Sequence, residues 1–553
     1  MAELLSITGR IFLGFTIFAL GFYLAPLTYT ITRKSTQKQA NLFSRKVQIA
    51  LIILVSLISL ITICTYALVQ IGVDPNSLPS PSEQVEVVRS YWKKPAIITR
   101  RKFPQSNQFK GFGFFPTFPH YNLNNRPGVI KSLFEEMKPH VIRIEFKANW
   151  SNGEGHIDRN DEELQRQIKL VKIAAEQGIK KWIAVHWSPP TEFRKYDSTK
   201  ALVNGKDNLL REDKEDDYAR YIAELVNTFV KAGTPAPYGI SIQNELNYAP
   251  SWSGMKVPQD QFRRLVKLFR QELDAAGYGE KDTNFIRVQG PESGSIVSNV
   301  KWLGGRHFSY FKKDPEFAKA LSDLLTHSYN PNRWSGGKYA DNWRNGILYH
   351  SGGRDVWMTE MSHVDGNPSQ MSVAITMSRE IGKHIGYLHS NYWLFWGGWR
   401  PQQKGENYPR EFLTLGEVSN NLPKRSKFYH VLRLLCNYTQ PGSYVYSFRS
   451  QDSSLLDSGK ETNQRYVDLL AFQGQSRSVI LMVNDTSTDK DITVKGLSGM
   501  GSSVDIYRVS DRQDENGLKI TSSSIDRSGS ITKTIPLTGK SVVVLVTNGG
   551  IKG

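Results

Sequence analysis

The sequence predicts a (β/α)8 barrel followed by an all-β sandwich, preceded by two membrane-spanning helices. Three observations predict it. Two long uncharged runs open the chain, eight short apolar runs then alternate with amphipathic stretches, and after Pro441 only β-rich runs remain. The 553 residues leave room for a barrel, which takes about 250 or more, and for a second unit beside it.

Residues 1–72 read as a membrane anchor. Ile11–Thr30 and Val47–Ile71 each lack any charge, and each reaches the roughly 20 residues needed to cross a bilayer. A cleaved signal peptide fits the first poorly, because Met1–Arg10 holds one basic residue and no clear cleavage motif follows. Between the spans lie Arg33, Lys34, Lys38, Arg45 and Lys46 with no acidic residue. The positive-inside rule keeps that loop in the cytoplasm and turns everything after residue 72 outward. The expectation is a multi-pass protein of the plasma membrane with a periplasmic or extracellular large domain. Residues 73–95 read as a linker: Pro75, Pro79 and Pro81 stiffen a short tether, and Glu83–Thr99 has the character of a strand that joins the sandwich.

The barrel is expected over residues 96–439. Its strands are read at Phe112–Phe115, Val141–Phe146, Lys181–His186, Tyr238–Gln243, Phe285–Gln289, Leu324–Ser328, Val356–Thr359 and Asn391–Trp396. Helical periodicity fills the gaps at Asp161–Glu176, Asp216–Lys231, Gln261–Ala276 and Gln370–Leu388, with Lys424–Tyr438 last. A doubly wound open sheet is the alternative, but it would normally carry a phosphate loop. The sandwich is expected over 440–553, from runs such as Val467–Phe472, Ser478–Val483, Ile492–Val494, Val504–Ser510 and Val542–Thr547, punctuated by Gly, Ser, Asn and Asp.

Composition narrows the chemistry. Cys64 and Cys436 are the only cysteines, which excludes a disulfide framework and reads as two small buried hydrophobes. No HExxH or paired CxxC spacing points to a metal. Gly111-Phe112-Gly113 lacks the third glycine of a dinucleotide loop, so no cofactor is expected. The formal charge of +18 is spread along the chain without a nucleic-acid motif. A basic surface of that kind suits solvated side chains or an anionic glycan; nucleic acid is not expected as a partner.

Two carboxylates dominate. Glu245 closes Ile240-Ser241-Ile242-Gln243-Asn244-Glu245, and Glu360 closes Val356-Trp357-Met358-Thr359-Glu360. In a barrel these are the ends of strands four and seven, which open on one face. Cleavage of a glycosidic bond needs such a pair, one acid for the leaving oxygen and one base or nucleophile.

The chain resembles clan A glycoside hydrolases, and most closely glycoside hydrolase family 30. The resemblance rests on Gln243-Asn244-Glu245, Trp357-Met358-Thr359-Glu360-Met361-Ser362, His186-Trp187-Ser188-Pro189-Pro190, Gly111-Phe112-Gly113, and Lys427-Phe428-Tyr429 leading to Pro441-Gly442. It covers about residues 96–549 and leaves the membrane segments outside. It implies a retaining double displacement with Glu245 as acid/base and Glu360 as nucleophile, the carboxyls about 5–5.5 Å apart. Glu245 would then need to hold a proton and Glu360 a charge. Arg143 and Tyr329 are candidates to hold Glu360 ionised, and Asn244 to contact the sugar 2-hydroxyl. The alternative for Arg143 is an ion pair with Glu145, two residues along the same strand face. Trp187, Trp393 and Trp396 are candidate sugar platforms. His327 reads equally as a substrate contact or as part of a buried polar network. The chain departs from the family at Leu246-Asn247-Tyr248, where a proline often follows the acid, and at Phe395-Trp396-Gly397-Gly398-Trp399-Arg400.

Together these readings predict a membrane-anchored retaining β-glycoside hydrolase acting on a β-linked polysaccharide or glycoconjugate. Arg400, Arg410 and the basic balance point to an acidic or decorated one. A carbohydrate-binding scaffold in a polysaccharide synthesis or export complex is the rival, and a transglycosylase would use the same residues. Three Asn-X-Ser/Thr sequons begin at Asn149, Asn437 and Asn484.

Overall fold

Eight apolar runs pair, all in parallel, into one sheet that curls toward closure. In chain order the strands are β1 (Gly111–Phe114), β2 (Val141–Phe146), β3 (Trp182–His186), β4 (Gly239–Ser241), β5 (Arg287–Gln289), β6 (Leu324–His327), β7 (Val356–Glu360) and β8 (Tyr392–Phe395). Their spatial order is β6-β7-β8-β1-β2-β3-β4-β5. Parallel bridges Gln289↔Asp323 and Ser293↔Thr326 bring β5 against β6. The open doubly wound alternative is thereby set aside, since each strand of a barrel keeps two neighbours. Gly113 is required where β1 meets β2: a Cβ there would lie 2.1 Å from the Val141 carbonyl oxygen.

The computed structural model describes residues 96–100, 108–329, 338–362, 369–401, 413–415, 423–450, 469–497, 500–512 and 514–548. The two expected membrane spans (11–30 and 47–71), Cys64 and Arg410 lie outside the described residues. Among the described residues, no helix is long and apolar enough to cross a membrane.

Side chains alternate across the barrel wall with period two. Val141, Ile183, Leu325, Trp357, Tyr392 and Leu394 form a layer inside the barrel, with Trp357 and Tyr392 stacked at 3.5 Å. Ile142, Ile144 and Phe146 point outward into the larger core beneath the helices. Those helices are α1 (Glu162–Glu176), α2 (Glu215–Lys231), α3 (Gln259–Ala275), α4 (Ile296–Trp302), α5 (Lys338–His350), α6 (Gln370–Gly386) and α7 (Lys427–Tyr438). Side-chain caps set the starts of α1, α6 and α7: Asp161 accepts from Leu164 N, Ser369 from Ser372 N and Ser426 from Tyr429 N. The Ser426 cap is why α7 begins at Lys427 and not at Lys424. Cys436 is buried within α7.

The sandwich strands Leu469–Gln473 and Ser478–Asn484 are buried on both faces, as is Ser541–Asn548 up to its last residue, while Ser503–Ser510 alternates buried and half-buried residues before its buried end. Leu470, Phe472, Leu481 and Val544 join the barrel's core, while Ala471, Ile480, Ile506 and Leu545 face a second core. Phe472 lies 5.0 Å from Phe109 and 5.7 Å from Phe112, so the sandwich seats directly on β1. Ala96–Arg100 pairs antiparallel with Ser443–Ser450 and parallel with Lys490–Lys495. The chain thus crosses the sandwich before it enters the barrel. Two sequons are spent on structure: Asn437 Nδ2 donates to the Glu136 and Arg433 carbonyls, and Asn484 Nδ2 to those of Leu537 and Thr538. Asn149 is exposed.

Candidate active site

The C-terminal ends of the strands gather charge in one place. Glu360 is the last residue of β7. The β6–β7 register slips between Thr326 and His327, which sets His327 opposite Glu360. Glu245 lies past β4 and not within it: pairing stops at Ser241 and resumes only at a bridge between Asn244 and Glu292. Glu245 then takes φ of 47°, a left-handed conformation that a glutamate adopts only under constraint. Its N–H donates to the Glu292 carbonyl at 2.8 Å, and its own carbonyl accepts from Tyr248 N at 2.8 Å. Gly294 makes room for the carboxylate, since a Cβ there would lie 2.9 Å from Glu245 Oε1.

One oxygen of each carboxylate and a ring nitrogen of His327 all lie within 4.8 Å of one another. Arg143 reaches the pair from β2 and is fully buried. Its Nη1 donates to Glu360 Oε2 at 2.8 Å and its Nη2 to Asn244 Oδ1 at 2.6 Å. Its Nη2 also lies 3.2 Å from Glu292 Oε1. Arg143 therefore serves Glu360 and Glu292, not the ion pair with Glu145 that the strand spacing allows. Tyr329 donates to the second oxygen of Glu360 at 2.7 Å. Because Asn244 Oδ1 accepts from Arg143, its amide N–H groups are the donors left for the cavity.

His327 is buried, with Nδ1 3.3 Å from Glu245 Oε1 and Nε2 3.3 Å from Glu292 Oε1. Nε2 is also 3.6 Å from Glu360 Oε2. Burial alone would strip its proton; Glu360, Glu245 and Glu292 outweigh that and push it up to about 9. The three side chains are also close enough to surround a metal ion. His327 belongs to the polar network that binds the carboxylates together.

Glu292 is the residue that sequence reasoning missed. Burial raises its proton affinity, but Arg143 and His327 overturn that and bring it down to about 2. It is a fixed negative charge under the site. It follows β5 as Glu245 follows β4, and that position was the available signal. Glu360 is pulled both ways. Burial pushes it up, His327 and Arg143 pull it down, and the Glu245 charge adds to burial, leaving it above the usual carboxylate range.

The aromatic candidates separate. Trp396 and Trp187 lie at the mouth with Phe115 and Phe118: Trp396 stacks on Phe115 at 4.6 Å and stands 5.8 Å from Trp187. The Arg143 guanidinium lies 5.0 Å from the centre of the Trp187 ring. Trp393 is a correction. It is fully buried on the outer face of β8, its Nε1 donates to His384 Nδ1 of α6 at 2.9 Å, and Phe428 of α7 packs against it. It is core and touches no part of the cavity. On the loop after Glu245, Tyr248 and Trp252 are 50% and 55% exposed with ring centres 6.3 Å apart.

No family model matches the chain. Among characterised proteins, the glucuronoxylanase XynC of Bacillus subtilis strain 168 is 23% identical over 337 residues, covering 60% of this chain and 67% of that protein. A second Bacillus subtilis XynC sequence is 26% identical over 207 residues, covering 37% of this chain and 42% of that protein. Among solved structures, a glycoside hydrolase family 30 subfamily 8 xylanase from Clostridium acetobutylicum superposes with a TM-score of 0.61 at 18% identity. It covers 82% of this chain and 100% of that one. In sequence and in fold alike, the chain is similar to the proteins of glycoside hydrolase family 30.

Proposed function

We propose that the protein is a retaining β-glycoside hydrolase acting on a β-linked polysaccharide. The observation that carries this reading is the Glu245–Glu360 pair, with facing oxygens within 4.8 Å. That is near the roughly 5–5.5 Å of retaining enzymes and short of the 6.5–9.5 Å that an inverting enzyme needs for its water.

Glu360 attacks the anomeric carbon, its charge supported by the Arg143 and Tyr329 donors. Glu245 gives its proton to the leaving oxygen, then takes one from water as the glycosyl-enzyme ester is cleaved. The Asn244 amide donates to the 2-hydroxyl, a bond that tightens in the transition state. The leaving group departs over the Glu245 loop, where the exposed Tyr248 and Trp252 rings offer a stacking surface. Trp187 and Trp396 serve the sugar on the other side of the cleaved bond.

The relatives' name makes glucuronoxylan the first substrate to test, and it suits a basic chain, since glucuronate groups are anionic. The same reading keeps the protein at the plasma membrane, held by the uncharged spans at 11–30 and 47–71, with the barrel outside the cytoplasm.

The test uses the full-length chain beside Glu360→Gln and Glu245→Gln. Each is incubated with glucuronoxylan, xylan and β-glucans, and new reducing ends are counted. The expected result is release by the parent with the β-anomer formed first by NMR, none from Glu360→Gln, and a loss of about 10²–10⁴-fold in Glu245→Gln. Initial release of the α-anomer overturns retention. Binding by all three proteins without release from any glycan favours a scaffold.

A further inference from the structure

One buried acid at the mouth has no place in the double displacement. Glu145 lies near the C-terminal end of β2, two residues beyond Arg143, so its side chain shares the inward face. Its strand partner is Val185, and Val185 packs with Phe115 and Trp187 against Phe118 and Trp396. The carboxyl therefore borders the aromatic wall that lines the mouth. It is 6% exposed, and its Oε2 is buried with no hydrogen-bond partner.

The neighbouring charges are already committed. Lys147, the cation that acts most on it, is paired with Glu163 at 2.6 Å. Arg143 is spent on Glu360, Glu292 and Asn244. Burial therefore dominates and lifts Glu145 to about 7, against the opposing pull of Lys147. A buried acid left without a partner lowers stability, and a ligand that supplies the missing hydrogen bond explains its presence.

We propose that Glu145 is a substrate-binding residue, whose carboxyl, 6% exposed, takes a hydroxyl of a neutral sugar ring lying against the Phe115–Trp187–Trp396 wall. An apolar ring face beside a single carboxyl is how a protein holds a pyranose: the ring stacks and the carboxyl binds hydroxyls. A uronate carboxylate at this position would meet the Glu145 carboxyl with Lys147 and Arg143 already paired elsewhere, so acidic decoration belongs elsewhere on the substrate. No ring contact joins the wall to Tyr248 or Trp252 among the described residues, and we assign this subsite to the glycone side. The assignment of side rests on the hydrolase reading; the binding contact does not.

The test uses the full-length chain with Glu360→Gln as a non-hydrolysing background. Neutral β-1,4-xylo- and β-1,4-gluco-oligosaccharides are titrated calorimetrically into that protein and into the same protein carrying Glu145→Gln or Glu145→Ala. The expected result is binding of at least one probe, weakened about 5- to 10-fold by Glu145→Ala and less by Glu145→Gln, with a melting temperature that does not fall in Glu145→Gln. In the hydrolysing enzyme the same change raises KM more than it lowers kcat. Unchanged affinity with a lowered melting temperature overturns the inference in favour of a purely structural acid. Failure of the background protein to bind either probe overturns it as well. Binding that depends on Glu145, with no turnover by the parent chain, upholds the inference and sinks the hydrolase reading.

Discussion

Arg143 and Glu360 meet across the barrel, Nη1 to Oε2 at 2.8 Å, with Arg143 fully buried and the Glu360 side chain 8% exposed. The bond joins β2 to β7, and the second arm of the same guanidinium continues to Asn244 and Glu292. One planar cation thus fixes the nucleophile and the residue beside the acid in a single geometry.

Removing that cation leaves two carboxylates without their nearest counter-ion. Arg143→Ala should lower stability by about 3–5 kcal/mol, the cost of breaking a buried ion pair by deleting one partner. Arg143→Lys restores the charge without the fork and cannot serve Glu360 and Asn244 together. It should recover much of the melting temperature while kcat stays low. Equal recovery of both would show that charge alone, and not the forked geometry, supports Glu360.

The charge network also sets a pH window for stability. Glu292 is depressed from 4.5 to about 2 in the folded protein, so its contribution is complete above 4.5 and lost as pH falls through 2. His327 is raised from 6.5 to about 9, so its contribution is complete below 6.5 and lost as pH rises through 9. Melting temperature should therefore fall from about pH 6.5 to 9 by an amount on the order of 3 kcal/mol in stability. His327→Gln should flatten that alkaline limb and shrink the acid limb to the part that Arg143 supports, since His327 helps to hold Glu292 down. An alkaline limb that persists unchanged in the variant would assign it to another group.

The site was legible where function obeys strand position. Glu245 and Glu360 each follow a short apolar run, and the barrel rule carries both to one face. Tyr329 was found as a partner for Glu360 just past strand six and Arg143 within strand two, both at positions that resemble those of the clan. Glu292 escaped because Gly290 and Pro291 interrupt the apolar run before it, which obscures its place after strand five. Its role exists only once β4 and β5 lie side by side and the Asn244–Glu292 bridge forms. The left-handed turn at Glu245 is equally invisible in sequence, since it is imposed by Glu292 and by the space over Gly294. The barrel and sandwich share a core that no single segment encodes, although the two-sided apolar pattern of Ser478–Asn484 was a hint of it.

Trp393 and Trp396 show how far period two could have gone. They are three residues apart, an odd number, so on an extended chain they face opposite sides of the wall. The structure sends Trp393 to His384 and Phe428 beneath the helices, and Trp396 to Phe115 at the mouth. Substitution should divide accordingly. Trp393→Ala empties a packed site and should cost about 3–5 kcal/mol in stability, with KM little changed in whatever protein remains folded. Trp396→Ala should raise KM by about 10-fold or more, since a stacked ring contributes on the order of 1 kcal/mol beyond its buried area, at a smaller loss in melting temperature. Trp393→Phe keeps most of the volume and loses the bond to His384, so it tests the core role in a protein that still folds. A rise in KM for Trp393→Phe equal to that of Trp396→Ala would place Trp393 in contact with substrate and undo its assignment to the core.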